Sequence, residues 1–175
     1  MRSAAFLVVG LLLIVTQGNL YPLVGYLGLH GATPSFVLPL LIFLGVHESS
    51  TARGALLAFA LGYATDLLGS APIGLFSLSA VAIWWLARTA GVRLSAQTWW
   101  TKAALSFGFS LVESVLVLVL LAIFGSDPQR PLEIATVALP HATSTALCSL
   151  FIFPLAQRLH QGSTPSSRSF EGLVG

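Results

Sequence analysis

Residues 103–124 read AALSFGFSLVESVLVLVLLAIF, a run with a single ionisable side chain, Glu113, and no proline. As a helix rising 1.5 Å per residue it would cover about 33 Å, against a bilayer hydrocarbon core of about 30 Å. Working outward, apolar segments bounded by Pro, Gly or charge recur at 4–25, 34–47, 54–69, 73–89 and 134–156, which makes six with the first. Hydrophobic residues form 55% of the chain and charged residues only 8%, where a soluble domain carries roughly a quarter charged. This balance predicts an all-α integral membrane protein. It would be a single six-transmembrane-helix bundle over residues 1–160, with a polar, disordered cytoplasmic tail at 161–175.

The direction of the spans follows from the basic residues, which concentrate near span ends on the cytoplasmic side. With six spans, Arg2, Arg53, Arg88, Arg93, Lys102, Arg158 and Arg168 share one side and only Arg130 faces the other. The expectation is a bacterial inner-membrane protein, multi-pass, with both termini cytoplasmic and its basic residues near anionic lipid headgroups. The net charge of +2 is too small to suggest nucleic acid as a partner. Arg2 and the apolar run after it lack an A-x-A-like cleavage site and read as a retained first helix, bent near Gln17, Gly18, Asn19 and Pro22. The second and third spans are short for a bilayer and need flanking residues, local thinning or shielding by neighbours. Trp84, Trp85, Trp99 and Trp100 lie on one side as an interfacial belt, and the 92–102 connection suggests a short interfacial helix.

Polar groups inside apolar segments are the candidates for function. Gly54, Ala58, Gly62 and Asp66 recur every four residues, a narrow face suited to close helix contact within the chain or, as the alternative, between two copies. The third helix is thereby expected to be central. Asp66 sits near a helix C-terminus, where its charge is unfavourable, and the nearest donors are the first N–H groups of the next helix, around Ile73 to Leu75. A clamp across the hairpin is predicted, with partner binding, ion coupling or proton transfer as rival roles. Glu113 lies near mid-bilayer, where an unpaired charge costs several kcal/mol or is neutralised by protonation. Its depth is within roughly 6 Å of His141, with Ser144 and Thr145 also near in depth, and a contact with His141 is the expectation. Pro140 and Pro154 are expected to bend or end the sixth span.

Catalysis finds little support. The aspartates are Asp66 and Asp127, the latter in an external loop, so neither a paired-aspartate protease nor an aspartate-cluster transferase is available. No His/Asp/Glu group has metal-ligand spacing, and Gly108-Phe109-Ser110 lacks the second glycine of a serine-nucleophile elbow. The lone Cys148 forms no disulfide framework. No catalytic residue, metal ligand or cofactor is assigned, and the chain is read as a non-enzyme.

Pro34-Ser35-Phe36, the stretch Gly62-Tyr63-Ala64-Thr65-Asp66-Leu67-Leu68, and Pro72-Ile73-Gly74-Leu75 carry a further signal. Their arrangement resembles the rod-shape-determining MreD family over roughly residues 34–90. In that family a Pro opens the second span, Gly-x-x-x-Asp-Leu-Leu closes the third, and a Gly-Leu pair follows a short turn. Ser35 departs from an acidic residue common there, and Phe76 from a small or imidazole side chain. The resemblance implies a non-enzymatic membrane scaffold of the elongation machinery that maintains rod shape and organises lateral peptidoglycan synthesis. It implies MreC as direct partner, with MreB, RodA and penicillin-binding protein 2 in the same assembly, and Pro34, Gly62, Asp66 and Gly74 shaping the bundle. It also implies a fold resembling the substrate-binding component of energy-coupling-factor transporters. The alternative function is therefore a vitamin or small-molecule binding component using Gln17, Asn19, Asp66 and His141.

Overall fold

The computed structural model describes residues 2–26, 33–48, 50–69, 73–90, 99–124 and 130–162. Among these the chain forms six α-helices and no strand: α1 (Arg2–Tyr26), α2 (Val37–His47), α3 (Thr51–Leu68), α4 (Leu75–Thr89), α5 (Trp99–Phe124) and α6 (Arg130–Gly162). Two stretches are long and apolar enough to cross a membrane, Trp100–Phe124 and Thr136–His160, while Ala4–Leu20, Val37–His47 and Leu75–Thr89 are shorter apolar helices. The expected segments at 161–175 and the interfacial helix within 92–102 fall largely outside the described residues.

The arrangement is a ring around an axle. The outer helices touch in the closed order α1, α3, α4, α5, α6 and back to α1, and α2 touches all five. Val37 through Gly45 are all buried, with Leu38 and Ile42 fully so. A helix apolar on every side must be covered on every side, and α2 meets that requirement with protein. This corrects the expectation that α3 is central, since α3 borders only α1, α2 and α4. It also explains how so short a segment is accommodated, because neighbours shield it.

Two helix boundaries near proline differ from the sequence expectation. Pro34 precedes α2 instead of opening it, in the non-helical segment 33–36. α6 continues through Pro140 and Pro154 to Gly162, so neither proline ends it, and α1 extends to Tyr26. Proline removes one backbone donor, a loss that a helix packed on neighbours can bear.

Polarity is arranged inside out. The buried polar residues include Ser77 and Ser79 on α4, Ser106, Ser110 and Ser114 on α5, and Thr145 and Ser149 on α6. The exposed side chains include Leu12 on α1, Phe59 on α3, Leu78 on α4, Val115 on α5 and Phe151 on α6, all more than half exposed. Large apolar side chains thus face outward from every helix of the ring.

Candidate functional site

Asp66, buried at the last turn of α3, accepts four hydrogen bonds. Its Oδ2 accepts from the backbone N–H of Gly74 and of Ser77, each at 3.0 Å, and from the Ser77 hydroxyl at 2.6 Å. Its Oδ1 accepts from the Phe76 N–H at 2.8 Å. The first N–H groups of a helix have no intrahelical acceptor and carry the positive end of its dipole, so a carboxylate placed there satisfies donors and gains charge stabilisation together. Gly74 adopts φ +100°, a left-handed conformation costly to residues with a Cβ, and so turns the chain into α4. Position 74 lies within the expected 73–75 window; Phe76 and Ser77 lie just beyond it, and the Ser77 hydroxyl was not anticipated.

The face of small residues leads directly into this clamp. A Cβ on Gly62 would stand 2.5 Å from the Phe76 carbonyl oxygen and 2.7 Å from the Ser77 Cα. A Cβ on Gly54 would stand 2.7 Å from the Trp84 ring. Ala58 between them is fully buried. Gly54, Ala58, Gly62 and Asp66 therefore lie on the face that meets α4 in the same chain. Trp84, expected as an interfacial anchor, is instead buried in this seam, because Gly54 leaves room for its indole; the Arg88 guanidinium lies 5.7 Å from the ring centroid. Trp85 and Trp100 are exposed, and the Trp99 side chain is outside the described residues.

A second polar cluster, which the sequence did not assemble, secures the approach to α2. His141 Nδ1 stands 2.6 Å from the Thr33 carbonyl oxygen, and because a carbonyl only accepts, that nitrogen carries the proton. The Ser35 N–H donates to Thr145 Oγ1 at 3.0 Å, and the Phe36 N–H donates to Gln17 Oε1 at 3.0 Å. α1 and α6 thus supply the partners that this non-helical backbone lacks. Asn19 takes no part; it is exposed and donates to the carbonyl of Val15 in its own helix. Polar residues deep in apolar segments were the available signal, although nothing in the sequence said they would meet at 33–36.

Glu113 departs from its expected pairing. His141 spends its Nδ1 proton on Thr33, and the buried Oε2 of Glu113 has no hydrogen-bond partner. Equal depth along two helices does not make side chains meet unless their azimuths also agree. The hydroxyls of Ser79, Ser106 and Ser110 are likewise buried without partners. Among the described residues no group of three or more His, Cys, Asp or Glu is placed to hold a metal ion. No protein-family model, curated protein or solved structure matches the chain.

Proposed function

We propose that the chain is a non-enzymatic scaffold of the bacterial inner membrane, crossing it six times with both termini cytoplasmic, and that it belongs functionally with the MreD family it resembles. In that role it binds MreC and, in one assembly with MreB, RodA and penicillin-binding protein 2, organises lateral peptidoglycan synthesis. The observation that carries this reading is the Asp66 carboxylate, whose bonds to Gly74, Phe76 and Ser77 join the two halves of the resembling motif. Such a motif fixes the shape of the α3–α4 hairpin, and a fixed shape is what a docking partner requires. The outward-facing apolar side chains support a lipid surrounding, since in hydrocarbon the exposed Leu, Val and Phe carry no penalty.

The transporter alternative needs Gln17, Asp66 and His141 turned toward one ligand, whereas each is bonded to backbone of this chain. Purification of the tagged protein from its own membranes separates the two readings. Stoichiometric recovery of MreC is the expected result. Recovery of a bound vitamin with an ATPase module, and no MreC, would overturn the scaffold.

A further inference from the structure

Two apolar clusters of the bundle are separated along α4 and α5 by a polar layer. Toward one end Leu75 packs with Val117, Leu120 and Leu121. Toward the other, Ala80, Ile83 and Trp84 of α4 and Phe109 of α5 belong to the main core. Between them stand Ser79 on α4 and Ser110 and Glu113 on α5. The Ser79 and Ser110 side chains are 1% and 0% exposed, and neither hydroxyl, nor Glu113 Oε2, has a hydrogen-bond partner.

Register places these groups close in depth. Leu75 marks where α4 lies against residues 117–121 of α5, and the two helices run antiparallel. One turn along α4 from Leu75 brings Ser79, on the same side of that helix, level with roughly residue 115, within about 3 Å in depth of Glu113 at 1.5 Å per residue. Ser110, Glu113, Val117 and Leu121 follow one another at three- and four-residue spacing, so the Leu75 contacts turn these faces of α4 and α5 toward each other. Ser110 lies one turn from Glu113 on the same face, at a spacing where side chains are neighbours. Buried polar atoms are normally paired, and three unpartnered oxygens close in depth on facing sides of α4 and α5 point to an occupant; the Ser106 hydroxyl, one turn further along α5, is also unpartnered.

The occupant's chemistry follows from the donors. They are hard oxygens, one of them a carboxylate, with unused lone pairs on the hydroxyls. A single positive charge leaves the buried site neutral, whereas a divalent ion would leave an uncompensated charge in a medium of low dielectric. We propose that Glu113, Ser79 and Ser110 form an internal site for a small monovalent cation, sodium, at the α4–α5 seam. A proton competes with it for the carboxylate. Among the described residues of the neighbouring helices, α2 is apolar throughout Val37–Gly45, and the titratable group of α6 nearest this depth is His141, whose Nδ1 is bonded to Thr33. The Asp66 carboxylate of α3 already accepts four hydrogen bonds. The site does not depend on which proteins the chain assembles with.

The test is thermal unfolding of the purified full-length chain in detergent, with sodium chloride compared against choline chloride at matched ionic strength and at two pH values. The midpoint is expected to rise with the logarithm of sodium concentration, less steeply in acid, and to be indifferent to sodium in Glu113→Gln. Ser79→Ala should raise the half-saturating sodium concentration about tenfold. Should Glu113→Gln fail to fold, the double variant Ser79→Ala with Ser110→Ala carries the test. Freed of unpartnered hydroxyls, it should melt no lower than the parent in choline yet lose the sodium response. A parent that ignores sodium, an equal response in Glu113→Gln or the double variant, or a midpoint that follows protons alone would each overturn the proposal.

Discussion

At Asp66 one side chain carries four hydrogen bonds, so its substitutions separate charge from geometry. Asn keeps one acceptor oxygen but turns an N–H group toward backbone N–H groups that need acceptors. Asp66→Asn is therefore expected to fold with a loss of about 1.5–3 kcal/mol, the range for hydrogen bonds to a charged group. Asp66→Ala leaves three N–H groups and the Ser77 hydroxyl without this acceptor and should lose more than about 3 kcal/mol. Unfolding midpoints in detergent check the order; an Ala variant as stable as the parent would remove the clamp. If Asp66→Asn folds yet supports no activity in cells, the carboxylate has a charge or proton role beyond holding the hairpin. Asp66 was legible as a hairpin clamp because a carboxylate at a helix C-terminus needs donors, and the next helix starts only a few residues on. Ser77 was not, because a serine in the first turn of a helix has many equally ordinary uses.

Between elements, glycine marks where helices approach closely, but the residue type alone does not tell which glycines do so. Gly62 lies against the backbone of α4, while a Cβ at Gly18 or Gly108 would meet nothing within 4 Å. The same substitution should therefore have opposite signs. Gly62→Ala drives a methyl into the Phe76 carbonyl and Ser77 Cα, and is expected to cost about 1–3 kcal/mol by overpacking. Gly18→Ala and Gly108→Ala relieve the helix of glycine's entropy cost and should gain about 0.5–1 kcal/mol each. Equal shifts in thermal midpoint at all three positions would mean that the α3–α4 seam is looser than its geometry implies. The fourfold spacing of Gly54, Ala58 and Gly62 announced a close contact. The identity of the neighbour, α4, came only with the fold, since a smooth face fits any helix and a second copy equally well.

For the whole molecule, the proposed topology makes a compartment prediction. A reporter that needs an oxidising compartment should be silent at either terminus and active when inserted within 125–128, between α5 and α6; activity at just one terminus would overturn an even number of crossings. The composition and the length of the apolar runs determined that the chain is helical and placed six helices in order, because long apolar stretches without strand-like alternation have few other solutions. The partition of Arg and Lys is likewise a property of the sequence alone. Tertiary structure decided that α2 is the axle, that Trp84 is buried, that Thr33 takes His141, and that Glu113 Oε2 is buried without a partner. A helix apolar on all sides carries no azimuthal record of its neighbours, and partners like Thr33 and His141, 108 residues apart, are chosen by how the ring closes.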